Sequence, residues 1–248
     1  MAPASLISKQ MDATEDALPT GTALWQSLAV EKQDQVFHAA VEEFAEHGYD
    51  AASMNTLVRR AGISKGSLFT YFRSKAGLFQ AVVDRAAGRI RQDLRHLRDS
   101  SRDQPFSRRL EALVRAGFAF IDQHPLLARI YFSLLQRGSA PGGECRAEAL
   151  RRRSRDFLEE LITEGQAQGE LRSDLPAQRM AFLLNLQLEN LLACGQNPPS
   201  SGEEPSATGP RATSTSHTER EELIRDFLCL TLDGMQTRPA GLSKGVRP

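Results

Sequence analysis

The segment from Ser53 to Lys75, SMNTLVRRAGISKGSLFTYFRSK, limits the possible folds of this chain more than any other stretch. Ser53 and Ser64 are of the residue type that caps a helix, because a serine hydroxyl accepts a hydrogen bond from a free backbone N–H. Gly62 suits the left-handed position that closes a helix. The segment therefore predicts two short helices joined by a glycine turn, a helix-turn-helix.

Positive charge is concentrated in this same segment. The 248 residues include 31 Lys and Arg against 31 Asp and Glu, so the formal net charge is zero. The segment nevertheless contains cations and no carboxylate; its cations are Arg59, Arg60, Lys65, Arg73 and Lys75. Such a concentration favours contact with a phosphate backbone. For Arg59 and Arg60 a solvated helix face is an equal alternative.

A second motif overlaps the turn, since Gly62 to Gly66 satisfies G-x-S-x-G, the nucleophile elbow of serine hydrolases. That motif requires a buried strand before it and a helix after it. The apolar residues Met54, Leu57, Val58 and Ala61 instead recur at helical spacing. The spacing favours the helix-turn-helix over a hydrolase.

Composition is typical of a soluble globular protein, with 40% apolar and 25% charged residues. Cys145, Cys194 and Cys229 form no C-x-x-C pair, so we expect buried thiols in a reducing compartment, with no metal site and no cofactor. The N-terminus lacks a signal-peptide pattern, and no apolar run approaches the length of a membrane span. These features predict a cytoplasmic protein that does not enter the membrane.

A support helix is predicted before the helix-turn-helix, from about residue 27 to residue 47, with Gly48 closing it. Its apolar face should pack on the next two helices to form a three-helix cluster; the residues involved are Phe37, Val41, Phe44, Leu57, Ile63, Leu68 and Phe72. Residues 1–26 are predicted to be a flexible tail, in which Trp25 is a candidate to pack on the domain.

Residues 44–79, FAEHGYDAASMNTLVRRAGISKGSLFTYFRSKAGLF, resemble the N-terminal DNA-binding domain of the TetR family of bacterial transcriptional repressors. The likeness includes the run G-x-x-x-G-x-L-[YF]-x-[YF]-F-x-x-K-x-x-L and spans about residues 30 to 80. It implies an all-α protein with a helix-turn-helix DNA-binding domain at 27–74. It also implies a larger helical domain for effector binding and dimerisation at 75–237.

The resemblance also implies which residues meet DNA. Five would line the recognition helix in the major groove: Lys65, Gly66, Ser67, Phe69 and Thr70. Others would lie near phosphates or the groove edge: Ser53, Asn55, Ser64, Tyr71 and Lys75. Lysine can donate to guanine O6 and N7, so Lys65 is the candidate for base reading. Phe69 stands where the family usually has tyrosine, which removes one possible hydrogen bond to phosphate.

The rest of the chain predicts antiparallel helices at about 75–97, 106–122, 125–137, 144–168, 176–195 and 219–236. Residues 196–218 contain four prolines and no Val, Leu, Ile, Phe or Met, so they predict a flexible insertion. Residues 238–248 are predicted to be a C-terminal tail. In the family, the helix that begins at Lys75 transmits the ligand signal to the DNA-binding domains.

Residues 180–194 are apolar on nearly every side, so they must be covered on two faces. In the family the last two major helices form a four-helix dimer interface. We therefore expect a homodimer whose interface includes Leu184, Leu188, Leu191, Leu223, Phe227 and Leu230. Symmetric pairing predicts that the double-stranded DNA partner is a palindromic operator.

The body also offers apolar residues that could enclose a cavity for a small apolar organic effector. The candidate contacts are Phe120, His124, Arg129, Tyr131, Phe132, Asn185 and Asn190. A filled core is the alternative, and His124 could simply border a helix before Pro125. Two other hypotheses stay open: a DNA-binding regulator controlled by a protein partner, and an all-helical enzyme. The absence of H-E-x-x-H, P-loop and G-x-G-x-x-G patterns weighs against the enzyme.

Overall fold

A computed structural model describes residues 21–138, 140–195 and 217–236 of the chain. In these residues the secondary structure is helical, without a β-strand, which confirms the all-α prediction. The helices are α1 (Ala23–Gln26), α2 (Val30–Ala51), α3 (Met54–Ala61), α4 (Lys65–Phe72), α5 (Lys75–Ser100), α6 (Phe106–Gln123), α7 (Pro125–Arg137), α8 (Gly143–Ala167), α9 (Ala177–Cys194) and α10 (His217–Met235).

Two compact units divide the chain between Arg85 and Ala86, inside α5. The boundary predicted between residues 74 and 75 instead coincides with the start of α5. The predicted C-terminal tail lies outside the described residues. So do residues 1–20 of the predicted N-terminal tail and residues 196–216 of the predicted insertion.

Unit 1 is built around the aromatic core that the sequence predicts. Phe37, Phe44, Leu57, Leu68 and Phe72 are each at most 6% exposed. The predicted core residues Val41 and Ile63 are only half-buried. Burial of the other side chains holds α2, α3 and α4 together, because removing apolar area from water is the main favourable contribution to folding.

Residues 21–26 are part of this unit and not part of a tail as predicted. Trp25 is 2% exposed, and its ring centroid lies 4.6 Å from that of Phe72 and 5.3 Å from that of Phe37. The backbone N–H of Thr22 donates to the carbonyl of Tyr71 at 3.0 Å. The start of the described chain is therefore tied to the end of α4.

The support helix α2 is longer than the sequence predicts. Gly48 leaves helical geometry, with φ 71°, but a further helical turn follows it as far as Ala51. A glycine tolerates this left-handed conformation at little cost, which is why the kink occurs at this position.

Two local interactions define the start of helix α5. The hydroxyl of Ser74 accepts a hydrogen bond from the N–H of Gly77 at 3.0 Å. A Cβ atom at Gly77 would lie 2.1 Å from the carbonyl oxygen of Phe72, so only glycine lets the preceding backbone approach this closely.

Unit 2 contains helices α6 to α10 and a second apolar core. Its most enclosed side chains include Phe106, Leu110, Leu134, Leu158, Ile162 and Leu184. Arg109 is only 3% exposed, and its guanidinium donates to Glu164 at 2.7 Å. Helix α10 is held to α6 by a bidentate pair between Arg115 and Glu221, at 2.7 and 2.9 Å.

The outward face of α9 is not the one that the sequence predicts. Leu184, Leu188 and Leu191 are 2%, 8% and 8% exposed, because they pack inside their own chain. The exposed apolar side chains of this helix are Phe182, Leu183 and Leu186, at 44%, 51% and 41%. The prediction chose the wrong stripe, since a helix that is apolar all round gives no signal of which side meets its own core.

On α10 the predicted stripe does face outward. Leu223 and Leu230 are 40% and 78% exposed, and Phe227 is half-buried between them. Ile224, Thr231 and Met235 turn inward. Leu223, Phe227 and Leu230 are therefore available to another surface, whereas the three buried leucines of α9 are not.

The prediction of buried thiols is wrong, since all three cysteines are exposed. Cys145 lies in the first turn of α8 and Cys194 is the last residue of α9. Ends of helices are less covered than their middles, which explains the exposure of these two. Within the described residues, no helix is both long enough and apolar enough to cross a bilayer.

Candidate nucleic-acid interface and body cavity

The corner between α3 and α4 is set by three local interactions. The hydroxyl of Ser53 accepts from the N–H of Thr56 at 3.3 Å, and the hydroxyl of Ser64 accepts from the N–H of Ser67 at 3.0 Å. Gly62 adopts the left-handed conformation, with φ 59° and ψ 41°. The predicted caps and turn are confirmed. No strand precedes the G-x-S-x-G pattern in the described chain, so the structural context of a nucleophile elbow is missing.

Helix α4, the recognition helix of the prediction, presents a polar face to solvent. Lys65, Gly66, Phe69 and Thr70 are exposed, and Ser67 is half-buried. Leu68 and Phe72 are buried in the core of unit 1, at 0% and 5% exposure. The exposed set coincides with the residues predicted to line the major groove, and their contact with DNA stays a prediction.

The end of α4 is also fixed. Arg73 has φ 62°, and its N–H donates to the carbonyl of Phe69 at 2.7 Å. Tyr71 is half-buried, with its ring centroid 5.7 Å from that of Trp25. The hydroxyl of Thr22 donates to the carbonyl of Thr70 at 3.2 Å. The helix is therefore held at both ends.

The cations of the segment fall into two groups. The side chains of Arg59, Lys65 and Arg73 are exposed and make no ion pair with any residue in the described ranges. Arg60 instead lies 3.2 Å from Glu46 and 3.7 Å from Glu43. Positive charge available to a partner comes mainly from the first group.

Lys75 is held in place by the last turn of α2. Its ammonium donates to the carbonyl of Asp50 at 3.0 Å and lies 5.0 Å from the ring centroid of Tyr49. Burial raises the pKa of Tyr49, and the neighbouring Asp50 carboxylate raises it further. Asn55 is exposed in the first turn of α3. Asn55 is therefore available near the edge of the helix-turn-helix, whereas the ammonium of Lys75 is engaged by Asp50 and Tyr49.

Two positioning residues were missed by the sequence reasoning. The Glu43 side chain is 2% exposed, and its carboxylate accepts from the N–H of Ser53 at 2.6 Å. Lys32 donates to the carbonyls of Ala61 and Gly62 at 3.1 and 3.2 Å. The two residues thus bind opposite ends of α3 to α2. The sequence did contain a signal for the role of Glu43, because this carboxylate lies next to the apolar positions of α2 that pack in the core.

Unit 2 contains a cavity of about 130 Å³. Its lining is mainly apolar and comes from α5, α6, α7, α8 and α9; it includes Ile90, Leu94, Leu113, Gly117, Phe120, Tyr131, Phe132, Leu135, Leu158, Asn185, Leu188 and Leu192. A cavity of this size contradicts a completely filled core.

Four of the seven predicted ligand contacts line the cavity: Phe120, Tyr131, Phe132 and Asn185. Three do not. Arg129 is exposed, and Asn190 is exposed and donates to the carbonyl of Leu186 at 2.8 Å. His124 stands between α6 and α7, with its ring centroid 5.4 Å from that of Phe120. Arg129 and Asn190 lie on exposed helix faces, and His124 lies between two helices, so none of the three is part of the cavity wall.

Two charged groups at the cavity, Arg151 and Glu189, are paired with each other. The guanidinium of Arg151 donates to both carboxylate oxygens of Glu189, each at 3.0 Å. These hydrogen bonds raise the pKa of Arg151, while its partial burial opposes the rise. Burial raises the pKa of Tyr131 to about 12; the charge of Glu189 adds to this, and Arg151 and Arg91 oppose it. Tyr131 is half-buried, and with this raised pKa its hydroxyl stays protonated at neutral pH.

The sequence profile described as "Bacterial regulatory proteins, tetR family" matches residues 36–82, the segment that contains α3 and α4. The chain is 38% identical over 106 residues to the HTH-type transcriptional activator FasR of Mycolicibacterium smegmatis. Residues 36–82 of this chain are thus similar to the TetR family of bacterial regulatory proteins. The match covers 41% of this chain and 46% of FasR, so it spans under half the length of that TetR relative. The family resemblance noted in the sequence is confirmed.

Solved TetR-family structures share the fold over most of the chain. A TetR family transcriptional regulator from Chloroflexus aurantiacus J-10-FL is 22% identical, with a TM-score of 0.61, over 88% of this chain and 99% of that one. The transcriptional regulator FadR from Bacillus subtilis, in complex with stearoyl-CoA, is 17% identical, with a TM-score of 0.63, over 81% of this chain and 98% of that one. At such identities the likeness establishes the fold alone.

Proposed function

We propose that this protein is a homodimeric transcriptional regulator that binds a palindromic DNA operator and is released by a small organic effector. The exposed face of α4 carries the proposal, because that helix is anchored at both ends, includes the exposed cation Lys65 and ends at the exposed Arg73. The regulators to which the chain is similar are not described as enzymes, which supports a role without catalysis. Its place of action would be the cytoplasm, where its DNA partner lies.

The geometry of α4 suits direct reading of base edges. Its eight residues extend over about 12 Å, so one copy covers only a few base pairs. Lys65 at its first turn can donate to guanine, and Thr70 and Phe69 offer a hydroxyl and an apolar surface for a thymine methyl. Each good base contact discriminates against the wrong base by about 1–3 kcal/mol. A single recognition helix is therefore too weakly specific to select a site, and two are needed.

Pairing of two chains would use the exposed apolar side chains of α9 and α10. Phe182, Leu183 and Leu186 on α9, together with Leu223 and Leu230 on α10, leave large apolar surfaces in water. The two helices contact each other through Thr231, whose hydroxyl donates to Gln187 at 3.4 Å. A second copy that covered both helices would bury these side chains and place two recognition helices in a symmetric pair.

The effector would act through the cavity of unit 2. Ile90 and Leu94 in its wall belong to α5, which starts at Lys75 directly after the helix-turn-helix. Pockets for drug-sized ligands usually measure about 300–1,000 Å³, whereas this cavity is near 130 Å³. A larger effector therefore needs a wider cavity, and would favour a conformation of the body that differs from this one. The stearoyl-CoA bound to the similar FadR supports an organic ligand.

Selection of bound duplexes from a random DNA pool tests the proposal. We expect the wild-type protein to enrich a palindrome, and Lys65→Ala to weaken binding to it by about 1–3 kcal/mol and to relax specificity at one position in each half-site. Arg152→Ala is the matched control, since Arg152 is an exposed cation on α8 in the body. Recovery of no consensus sequence at low salt, or equal losses for both variants, would contradict the proposal.

A further inference from the structure

Asn185 is a buried polar side chain at the wall of the cavity. It is only 5% exposed and lies on α9, among residues that line the space. Its amide makes no hydrogen bond with other residues of the described chain. Buried polar groups in proteins are nearly always hydrogen-bonded, because leaving one unpaired is costly. The amide of Asn185 borders an apolar cavity and has no partner in the described chain, so it is free to pair with a polar group of a ligand there.

The charge of that ligand is limited by the other groups in the wall. Among the described residues that line the cavity, Arg151 is the single cation, and both carboxylate oxygens of Glu189 already occupy it. Asp93 adds a second carboxylate to the wall. An anionic ligand would thus find no free cation, and a buried charge without a partner is strongly unfavourable.

Tyr131 adds a neutral hydroxyl to the same wall. Because burial keeps this group protonated well above neutral pH, it can donate a hydrogen bond but offers no charge. The remaining surface is apolar, with Phe120, Phe132 and Leu188 among its residues. The chemistry of the wall is therefore that of a neutral apolar site with an amide and a hydroxyl.

We propose that Asn185 is the recognition group of the effector site, and that its ligand is uncharged and mainly apolar with one hydroxyl, carbonyl or amide group to pair with it. The regulatory consequence rests on the proposed function, whereas the ligand class rests on the cavity alone. The amide of Asn185 has two donors and an acceptor, so it can pair with any of these groups.

Gly117 sets the width of the site on the side of α6. A Cβ atom there would lie 2.8 Å from side-chain atoms of Leu192, which also lines the cavity. Gly117→Ala would therefore force Leu192 to move and would change the shape of the site. At about 130 Å³ the cavity is close to the roughly 150 Å³ apolar cavity that accepts benzene, so a single six-membered ring is a suitable probe.

Calorimetric titration of the full-length protein with four ring compounds tests this inference. The probes are cyclohexanone, methylcyclohexane, cyclohexanecarboxylate and cyclohexylammonium. We expect the two charged probes to bind at least ten times more weakly than cyclohexanone. Asn185→Leu should lower the affinity for cyclohexanone by about five- to tenfold. The same substitution should leave the affinity for methylcyclohexane unchanged or raise it. Gly117→Ala should lower the affinity for both neutral probes.

Asn190→Leu is the matched control, because Asn190 lies on the same helix but is exposed and bonded to its own backbone. It should leave every probe affinity unchanged. If Asn185→Leu does not fold, Asn185→Ala takes its place, with the same loss expected for cyclohexanone. Tighter binding of a charged probe, no binding of any probe, or an unchanged affinity for cyclohexanone in the Asn185 variant would overturn the inference.

Operator binding by the same variants separates this inference from the proposed function. Asn185→Leu should still bind the selected DNA, since Asn185 lies in unit 2 and not in the helix-turn-helix. If no DNA is bound but the probes behave as expected, the ligand class stands and the proposed function fails. If DNA is bound but the probes show no dependence on Asn185, this inference alone fails.

Discussion

The helix-turn-helix of unit 1 and helix α9 of unit 2 are specified by interactions of very different range. Ser53 and Ser64 each bond to a backbone N–H only three residues away, and Gly62 closes α3 within its own turn. The faces of α9 are instead decided by packing against helices formed by distant parts of the chain. Hydrogen bonds at helix ends therefore determine the turn between α3 and α4 from a few neighbouring residues. The orientation of an apolar helix instead depends on the packing of the whole core.

The largest expected effect concerns the two stripes of α9. Leu184→Ala should lower the free energy of unfolding by about 2–5 kcal/mol, because a fully buried leucine is replaced by a cavity. Leu183→Ala, on the exposed stripe, should lower the free energy of unfolding much less and should mainly weaken self-association. Urea unfolding at a fixed subunit concentration and sedimentation velocity measure the two properties. The reverse pattern would mean that the faces are assigned wrongly.

A second difference should emerge at high pH. The pKa of Tyr131 is about 12 in the fold and near 10 when unfolded, so the folded state keeps a proton that the unfolded state loses. Stability is therefore unaffected below pH 10 and falls as the pH rises towards 12. Relative to Tyr131→Phe, the wild type should lose about 2–3 kcal/mol over that interval.

Thermal unfolding of both proteins between pH 9 and 12 measures this difference. Other tyrosines and the lysines titrate alike in the two proteins and cancel in the comparison. Parallel pH profiles for wild type and Tyr131→Phe would show that the hydroxyl of Tyr131 is not enclosed.

A third comparison uses two glycines of α5. Gly77→Ala should lower stability by about 1–3 kcal/mol, because its Cβ would collide with the carbonyl of Phe72. Gly88→Ala should raise stability by about 0.5–1 kcal/mol, since nothing but the end of Arg91 lies near and alanine favours a helix. Chemical denaturation distinguishes the two, and equal effects would contradict the close approach at the start of α5.

The smallest expected effect is the loss of a cap. Ser64→Ala should cost about 1 kcal/mol, because the N–H of Ser67 loses its acceptor at the start of the recognition helix. Ser100→Ala, at the exposed end of α5, should change stability little. Denaturant titration gives the stability of each variant, and DNA binding should weaken only for Ser64→Ala. An equal change in both variants would show that the hydroxyl of Ser64 does not position α4.

Much of the fold could be read from the sequence because its signals are local. Three kinds of signal mark helix ends that the structure places within a few residues of the predictions: the proline that begins α7, the glycines near residues 138–143 and 169, and the serine caps. The outward polar face of α4 was also readable, since Leu68 and Phe72 share one side of that helix.

The rest depended on contacts that no single stretch contains. The packing of Trp25 on Phe72 joins residues 47 positions apart, and the hydrogen bond that the N–H of Ser53 donates to Glu43 spans the kink at Gly48. The cavity is likewise formed by residues from five helices, and the predicted contacts Arg129 and Asn190 are exposed and not among them. Such choices between helix faces are settled by tertiary packing and not by residue type.

The most direct test of DNA recognition by a symmetric pair is an equilibrium binding measurement on the full-length protein. It compares the selected palindrome with a single half-site and repeats both titrations at a series of salt concentrations. The account predicts two chains per palindrome, much weaker binding to the half-site, and affinity that falls steeply as salt rises because several phosphates are neutralised. One chain per duplex with equal affinity for both DNAs, or no dependence on salt, would contradict it.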